Sequence, residues 1–571
     1  MAILLTRMAR VELARSFVRE VKNVIDSDNN KLYDYYNFVF SRTNAWSDES
    51  TPEVAYDSQK YLNQFRNNML FAQKVNPSDV CVLIRRIDWE SGTVYDSYDD
   101  NYSTTNPAAN GATTLADSNF YVYAPTTNRV YKCIDNDSAT ESTVEPNLSG
   151  TSIFETSDGY KWKFMYEVSQ ADQNKFLDSK FIPVRKLTAN SPTYGTLVGE
   201  VTNIAVTSGG SGYTSAPTVT INGDGAGAKA TATISGGEVT AVNISADDGD
   251  TSFKGIGYTF AFVTFSGGGF TEEATATVSL GDADSDSTVL QKAVEETAIA
   301  GTIERIVVTD GGKDYVDGDT FVKITGDSVA SADLATATVT IAAGSGSITS
   351  VNVTDRGANY TYADITFVDG SGNELFTDPV DSDKKASARA ILSPLDGHGN
   401  DPVRELFGTT VAVVSSISDN NNHDLMVDND FRQIGLMKNI YDYDESAIWR
   451  ELTATAAFRV NVDSSASYAV DDIIVADEGT SAEGRFRVIQ IVERVDDGVT
   501  TFDIYLQSII PNITNTSTLK NETQNISSLA INSRTEPEIS TSFGQIIYIE
   551  NRTAIARSAD QVETIKALVK F

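Results

Sequence analysis

Hydrophobic and polar positions along this chain change period several times, and each change marks an element. Over the first 26 residues Ala9, Leu13, Phe17, Val21 and Val24 recur every three or four positions with Arg and Glu between them. That spacing predicts an amphipathic helix ending in the Asp26-Ser27-Asp28-Asn29-Asn30 cluster. A strand is predicted at 35–40 and a second helix at 58–71. Strands broken by turn clusters follow to about residue 190, at 80–87, 119–123, 129–134 and 161–168.

From about residue 200 Gly, Thr, Ala, Ser and Val dominate, and one pattern recurs four times. Each copy opens on an alternating strand: Val201, Ile204, Val206; Val239, Val242, Ile244; Ile303, Ile306, Val308; and Ile348, Val351, Val353. A Gly-rich turn with one Tyr follows, at Gly212-Tyr213, Gly257-Tyr258, Gly312 to Tyr315 and Gly357 to Tyr360. A small-residue strand closes each copy, around Ala228 to Ile234, Ala274 to Val278, Ala335 to Val339 and Ala386 to Ala390. One such unit cannot bury its apolar face alone, so neighbours are expected to stack or pair into a β-rich module over 197–392. The tyrosines have two readings: rings packed over the turns, or a stripe that binds a ligand such as a glycan.

The chain returns to richer composition over 393–449, and alternating strands then predict a small β insertion over 450–510. Residues 511–540 are polar and turn-rich and read as a linker, and 541–571 as a final strand at 545–550 with a helix at 558–569. The fold class expected is mainly β with a few helices. An α+β core, a layered β-sandwich, would carry the repeat module and the second insertion.

Composition narrows the function. With 79 Asp and Glu against 44 Lys and Arg the formal charge is −35, which opposes binding to phosphate backbones or anionic membranes. Hydrophobic residues make up 40%, enough for ordered domains rather than an acidic coil. No stretch approaches the length of a membrane span, and the amino terminus has no secretory pattern, so a soluble protein made in a cytoplasm is expected. Cys81 and Cys133 sit in apolar runs and read as reduced core residues.

Candidate chemistry is sparse. There is no nucleophile elbow and no His-Glu-x-x-His, and His398 and His423 are the only histidines. Asp282-x-Asp284-x-Asp286 begins like a calcium loop but has Ser287 at the sixth position and Ala293 at the twelfth, which favours a solvated turn. Asp396 to Asp401, with Gly397 and Gly399, reads as a tight turn rather than a cation site. No catalytic residue, metal or cofactor is expected, and the chain is not expected to be an enzyme.

Several islands carry a resemblance. They are Phe38-Val-Phe40-Ser-Arg42 with Trp46, Arg85-Arg86-Ile-Asp88-Trp89, Val130 to Asp135, Asp158-Gly159-Tyr160-Lys-Trp162, Phe431-Arg432-Gln433-Ile434, and Gly544 to Arg552 followed by Asp560-Gln561. In sequence and order they resemble the dimeric baseplate wedge subunit of T-even-type contractile-tail phages, although Thr553-Ala554 stands where that family shows a proline pair. The resemblance covers 1 to about 190, about 391–445 and 540–571, so the repeats and the 454–508 strands look like insertions. It implies a three-layered β-sandwich, a homodimer that joins other wedge proteins, and a place in the virion after assembly in the host cytoplasm. Short tail fibre or peripheral baseplate proteins are further candidate partners, with no nucleic acid and no membrane insertion. Arg85, Arg86, Asp88, Trp89, Phe431, Arg432, Gln433, Tyr548, Glu550, Asn551 and Arg552 are candidate interface residues, each with internal packing as the alternative. Tyr213, Tyr258, Tyr315 and Tyr360 are the candidate ligand stripe of an alternative function, a tail adhesin for host glycans.

Overall fold

Strands form almost everywhere the sequence alternates, and the protein is mainly β with several sheets and few helices. In the computed structural model of the chain the described residues are 6–21, 35–75, 79–187, 201–223, 226–244, 254–256, 261–280, 286–327, 333–417, 429–496, 498–557 and 563–571. They fall into two compact units. One comprises Met1–Val18, Cys81–Ala412 and Val569–Phe571, the other Arg19–Val80 and Val413–Leu568. The amino-terminal helix spans Arg7–Val21, and residues 22–26 of the expected helix lie outside the described residues. Its buried stripe is Val11, Ala14, Phe17, Val18 and Val21, whereas Leu13 faces outward at 46% exposure.

In the first unit an antiparallel sheet runs in the order Tyr121–Ala124, Arg129–Asp135, Lys161–Glu167, Ile153–Glu155. Tyr95, Tyr131, Cys133, Tyr160 and Trp162 fill its core, and an unexpected helix, Asp286–Glu296, covers it through Leu290 and Val294. That helix begins at Asp286, so Ser287 and Ala293 of the apparent calcium loop lie within it. Leu290 and Val294, one turn apart, give it an apolar stripe against the sheet.

The four repeats also belong to this unit, and they interlock in pairs. In repeats one and two, the leading strand Val201–Ser208 pairs with the closing strand Thr275–Leu280 of the second repeat. Reciprocally, Glu238–Ile244 pairs with Ala230–Ser235. The middle strands, Thr218–Gly223 and Ala261–Ser266, pair with each other. Repeats three and four do the same: Ile303–Asp310 pairs with Ser387–Leu392, Ile348–Asp355 with Thr336–Ile341, and Phe321–Gly326 with Ala363–Val368. Contacts between the remaining neighbours close each set of six strands into a ring. Each ring has its own core, one around Ile204, Val242 and Phe265, the other around Ile306, Val351 and Phe367. One repeat is therefore half a barrel. Small alternating residues suit the strands because six inward faces share a narrow interior. The strand at Ala386 to Ile391 closes the fourth repeat.

The second unit contains a five-stranded antiparallel sheet in the order Thr453–Thr455, Met69–Lys74, Tyr36–Ser41, Asn429–Lys438, Gln545–Arg557. Every residue of the central Tyr36–Ser41 strand is buried, because both faces are covered. The second helix is shorter than expected, Gln59–Asn67 with Ser58 as N-cap, and 69–74 is a strand of this sheet. Leu70, Phe71 and Ala72 are buried as strand residues, so sheet pairing overrides the helical spacing.

The region predicted as a small insertion forms a seven-stranded sheet with Phe458, Val460, Phe486, Val488, Ile504 and Leu506 in its core. The expected linker 511–540 is not a linker. It supplies the strands Leu519–Asn521, Ile526–Leu529 and Ser533–Thr535 to that sheet and buries Ile513 and Leu519 in its core. Asn521 is fully buried, donating to Asp472 and to the Ser467 carbonyl. The terminal helix is corrected as well: Glu563–Lys570 is a strand, with Ile565 and Ala567 buried at a spacing of two.

Candidate functional site

Three family-like islands meet on the five-stranded sheet. Phe431 is buried in an aromatic group with Phe40 and Phe71, its ring 5.2 Å from Phe40 in an edge-to-face arrangement. Arg432 points the other way along the strand and pairs with Glu49 at 2.9 Å. Gln433, 2% exposed, donates to the Tyr61 hydroxyl and to Asn551 Oδ1, both at 2.9 Å. Tyr61 also donates to Asn551, and Asn551 Nδ2 donates to the Glu53 carbonyl at 2.7 Å. Trp46 donates its indole N–H to the Arg552 carbonyl at 2.7 Å, and Glu550 accepts from Tyr548 and pairs with Arg552. These side chains strap the 46–61 segment to the two strands at one side of the sheet.

The Arg85 to Trp89 island also works internally. Arg85 donates to the Ser118 carbonyl, Arg86 pairs with Asp88 at 2.7 Å and lies over the Tyr123 ring, and Trp89 donates to Ser142 while packing on the sheet core. Asp158 accepts from Ser142, Thr143, Val144 and Thr156. Partial burial would raise its pKa, and these hydrogen bonds outweigh it and hold the carboxyl below its ordinary value. Gly159 takes φ +86° in the turn that feeds the strand of Trp162. Asp560 and Gln561 lie outside the described residues.

Three of the four repeat tyrosines are described, and all are closed to a ligand. Tyr213, Tyr315 and Tyr360 are 4–5% exposed, and their hydroxyls accept from the Ala274, Ala386 and Ala335 amides at 2.9, 2.8 and 3.0 Å. Each therefore bolts its own turn to the start of the closing strand that pairs with its leading strand. Tyr258 and His423 lie outside the described residues. Where each ring crosses, Gly210, Gly312 or Gly357 adopts φ of +56° to +63°, and a Cβ there would lie 2.7 Å from the same alanine amide nitrogen. Glycine is needed at these positions for both reasons.

A buried ionic network in the first unit was not expected. Lys132, fully buried in the strand Arg129–Asp135, reaches Glu405 at 2.8 Å and lies 4.3 Å over the Tyr98 ring. Glu405 also accepts from the amides of Gly399 and Asp401, so the 396–401 turn wraps its carboxylate. Asp401 caps the short helix Pro402–Glu405 and pairs with Arg15. His398 is 6% exposed, with its ring 4.8 Å from Tyr98 and its Nε2 3.6 Å from Glu304. Burial pushes Lys132 below its ordinary range and Lys163 down to about 8. The same turn lines a mostly apolar cavity of about 330 Å³ with Met8, Tyr98, Leu115 and Phe407. The signal for this network was Lys132, a lysine inside the apolar run Val130 to Ile134.

Among the described residues no cluster of His, Cys, Asp and Glu is arranged to hold a metal ion, and no helix is long and apolar enough to cross a membrane. Cys81 and Cys133 are buried, and burial raises the Cys133 thiol well above its usual range. No protein-family model and no curated protein matches the chain.

Proposed function

We propose that this chain is a structural subunit of a contractile-tail baseplate wedge, acting as a homodimer that joins other wedge proteins. The observation that supports this reading is the convergence of the family-like islands. Segments around residues 46, 432 and 550 lie far apart in sequence and meet on one sheet, and those around 86, 132 and 160 meet on another. Those islands hold the fold together, so they speak for a shared core rather than for a docking face. A load-transmitting subunit needs such cross-strapped sheets and no active site. The acidic surface fits a role in ordered assembly, since a charge of −35 keeps unassembled copies apart until complementary neighbours dock.

Light scattering of the purified chain at micromolar concentration, together with co-expression of the other tail proteins from the same genome, tests the reading. A dimer that captures wedge proteins is expected. A strictly monomeric mass with no tail partner recovered would overturn it.

A further inference from the structure

The glycine-flanked turn that carries His398 has features of a moving part. Gly397 and Gly399 both sit at φ +90°, and a Cβ there would lie 2.5 Å from the Ile299 carbonyl oxygen or 2.6 Å from Val294, so the turn is seated tightly on the 294–299 segment. His398 is buried beneath Tyr98, yet neither ring nitrogen has a hydrogen-bond partner. A buried imidazole with two unbonded nitrogens contributes no bond that explains its presence, and leaving polar atoms unsatisfied costs about 1–3 kcal/mol.

The surroundings decide what a proton on that ring would do. Lys132 and Lys163 face it from two sheet strands, Arg356 from the turn after the strand Ile348–Asp355, and Glu304 from the strand Ile303–Asp310. Glu405 and Asp401 face the turn from the short helix, Tyr98, Asp99 and Asp100 from the loop above, and Glu295 from the helix below. Glu405, Asp401 and Asp99 are already engaged, whereas Glu304 lies 3.6 Å from His398 Nε2 and keeps one oxygen without a hydrogen bond. Glu405 binds Lys132 and two amides, Asp401 binds Arg15, Asp99 binds Arg389, and Glu304 accepts from Thr302 and pairs with Arg356 at 3.4 Å. A protonated His398 would add a fourth cation to Lys132, Lys163 and Arg356 where Glu304 and Glu405 are the nearest carboxylates.

We propose that the 396–401 turn is a proton-operated latch, closed while His398 is neutral and released when it is protonated, which uncovers the cavity floor at Tyr98 and Glu405. This rests on the geometry of the first unit and is independent of the assembly role. Burial, reinforced by Lys132, Lys163 and Arg356, holds His398 well below its usual pKa. The open form therefore takes up the proton first. Closure is fully favoured above the ordinary histidine range near 6.5 and weakens as pH falls below it, by a factor of about ten per pH unit for one proton. Lys163, which titrates near 8, loses its charge on the alkaline side and leaves this acid limb unchanged.

The test uses the full chain. With only two histidines, the ring-proton signals are assigned by comparison with His423→Gln, and hydrogen exchange of the Gly399 and Asp401 amides reports the turn. Between pH 6.5 and 5 the opening constant of those amides, corrected for intrinsic exchange, is expected to rise about tenfold per unit. In His398→Phe, which keeps a ring but cannot take a proton, that rise is expected to vanish. His398→Gln serves the same purpose if the phenylalanine variant misfolds. Equal pH dependence in wild type and variant would overturn the latch, as would a His398 ring that titrates near 6.5 while the turn amides stay protected.

Discussion

The two barrels share one repeat but differ in how they are held. The described bonds of the 201–280 barrel join its own strands and turns, with threonine pairs such as Thr207 and Thr275 on the outside. The 303–392 barrel instead reaches the neighbouring sheet and loop of its unit: Arg305 contacts Asp135 and Ser97, and Arg389 grips Asp99 through both terminal guanidinium nitrogens. In the repeat alignment Arg305 stands where the first repeat has Asn203, and Arg389 where other closing strands have Thr231, Thr277 and Thr338. The inner, apolar positions of the repeat specify a barrel. Charged departures at its outer positions specify where that barrel docks.

The largest effect tests the shared rule. Gly357→Ala places a Cβ 2.7 Å from the Ala335 nitrogen at φ +60°, and Gly210→Ala does the same at Ala274 with φ +63°. Each is expected to cost about 3 kcal/mol or more in its own barrel, since strain at a left-handed position and a clash with backbone combine. Hydrogen exchange of each barrel's strand amides checks this. Equal damage in both barrels is expected, and damage confined to one would show that the rule is not shared.

Arg389→Thr, which restores the repeat's own residue, sharpens the difference. It leaves Asp99, 4% exposed, without its cation, at an expected cost of about 3 kcal/mol to docking. The barrel's own amides should stay protected. Burial would raise the Asp99 pKa, but Arg389 outweighs it and the carboxyl lies below its ordinary value. Its contribution is therefore present above the usual aspartate range and lost as pH falls through the lowered pKa. In the variant the burial is no longer offset by Arg389, so this acid-side loss should shrink, which acid titration of docking-face amide protection would detect.

A smaller effect follows from the bolt. Tyr315→Phe keeps the ring against Phe367 and Phe376 but removes the acceptor for the Ala386 amide, at about 1 kcal/mol. Faster exchange of that one amide is expected, without loss of the barrel.

These differences explain what could be read without coordinates. The repeats were legible because each strand alternates and each turn carries its glycine and tyrosine locally. Their pairing was not, because one repeat says nothing about which closing strand its leading strand will choose. The helix 286–296 is hard to read from sequence because its described core contacts come from Leu290 and Val294, in an acidic stretch between repeats. Residues 511–540 read as a linker for the opposite reason, since their strands are Asn- and Ser-rich and their buried apolar residues, Ile513, Leu519 and Ile539, are widely spaced. At the terminus, Ile565, Ala567 and Val569 alternate as a strand requires, and the helical reading overlooked a period of two. Several of the motif residues contact loops of the chain itself, and those contacts run through segments such as 46–61 that no local pattern connects to them.

The central claim is that two repeats, and no fewer, make one barrel. Hydrogen exchange with light scattering on the isolated 301–393 segment tests it most directly. The account predicts a folded monomer in which the Ala335 and Ala386 amides, bonded to the tyrosine hydroxyls, exchange among the slowest, and a single-repeat segment 301–345 that shows no protection as a monomer. A protected monomeric single repeat, or an unprotected pair, would contradict it.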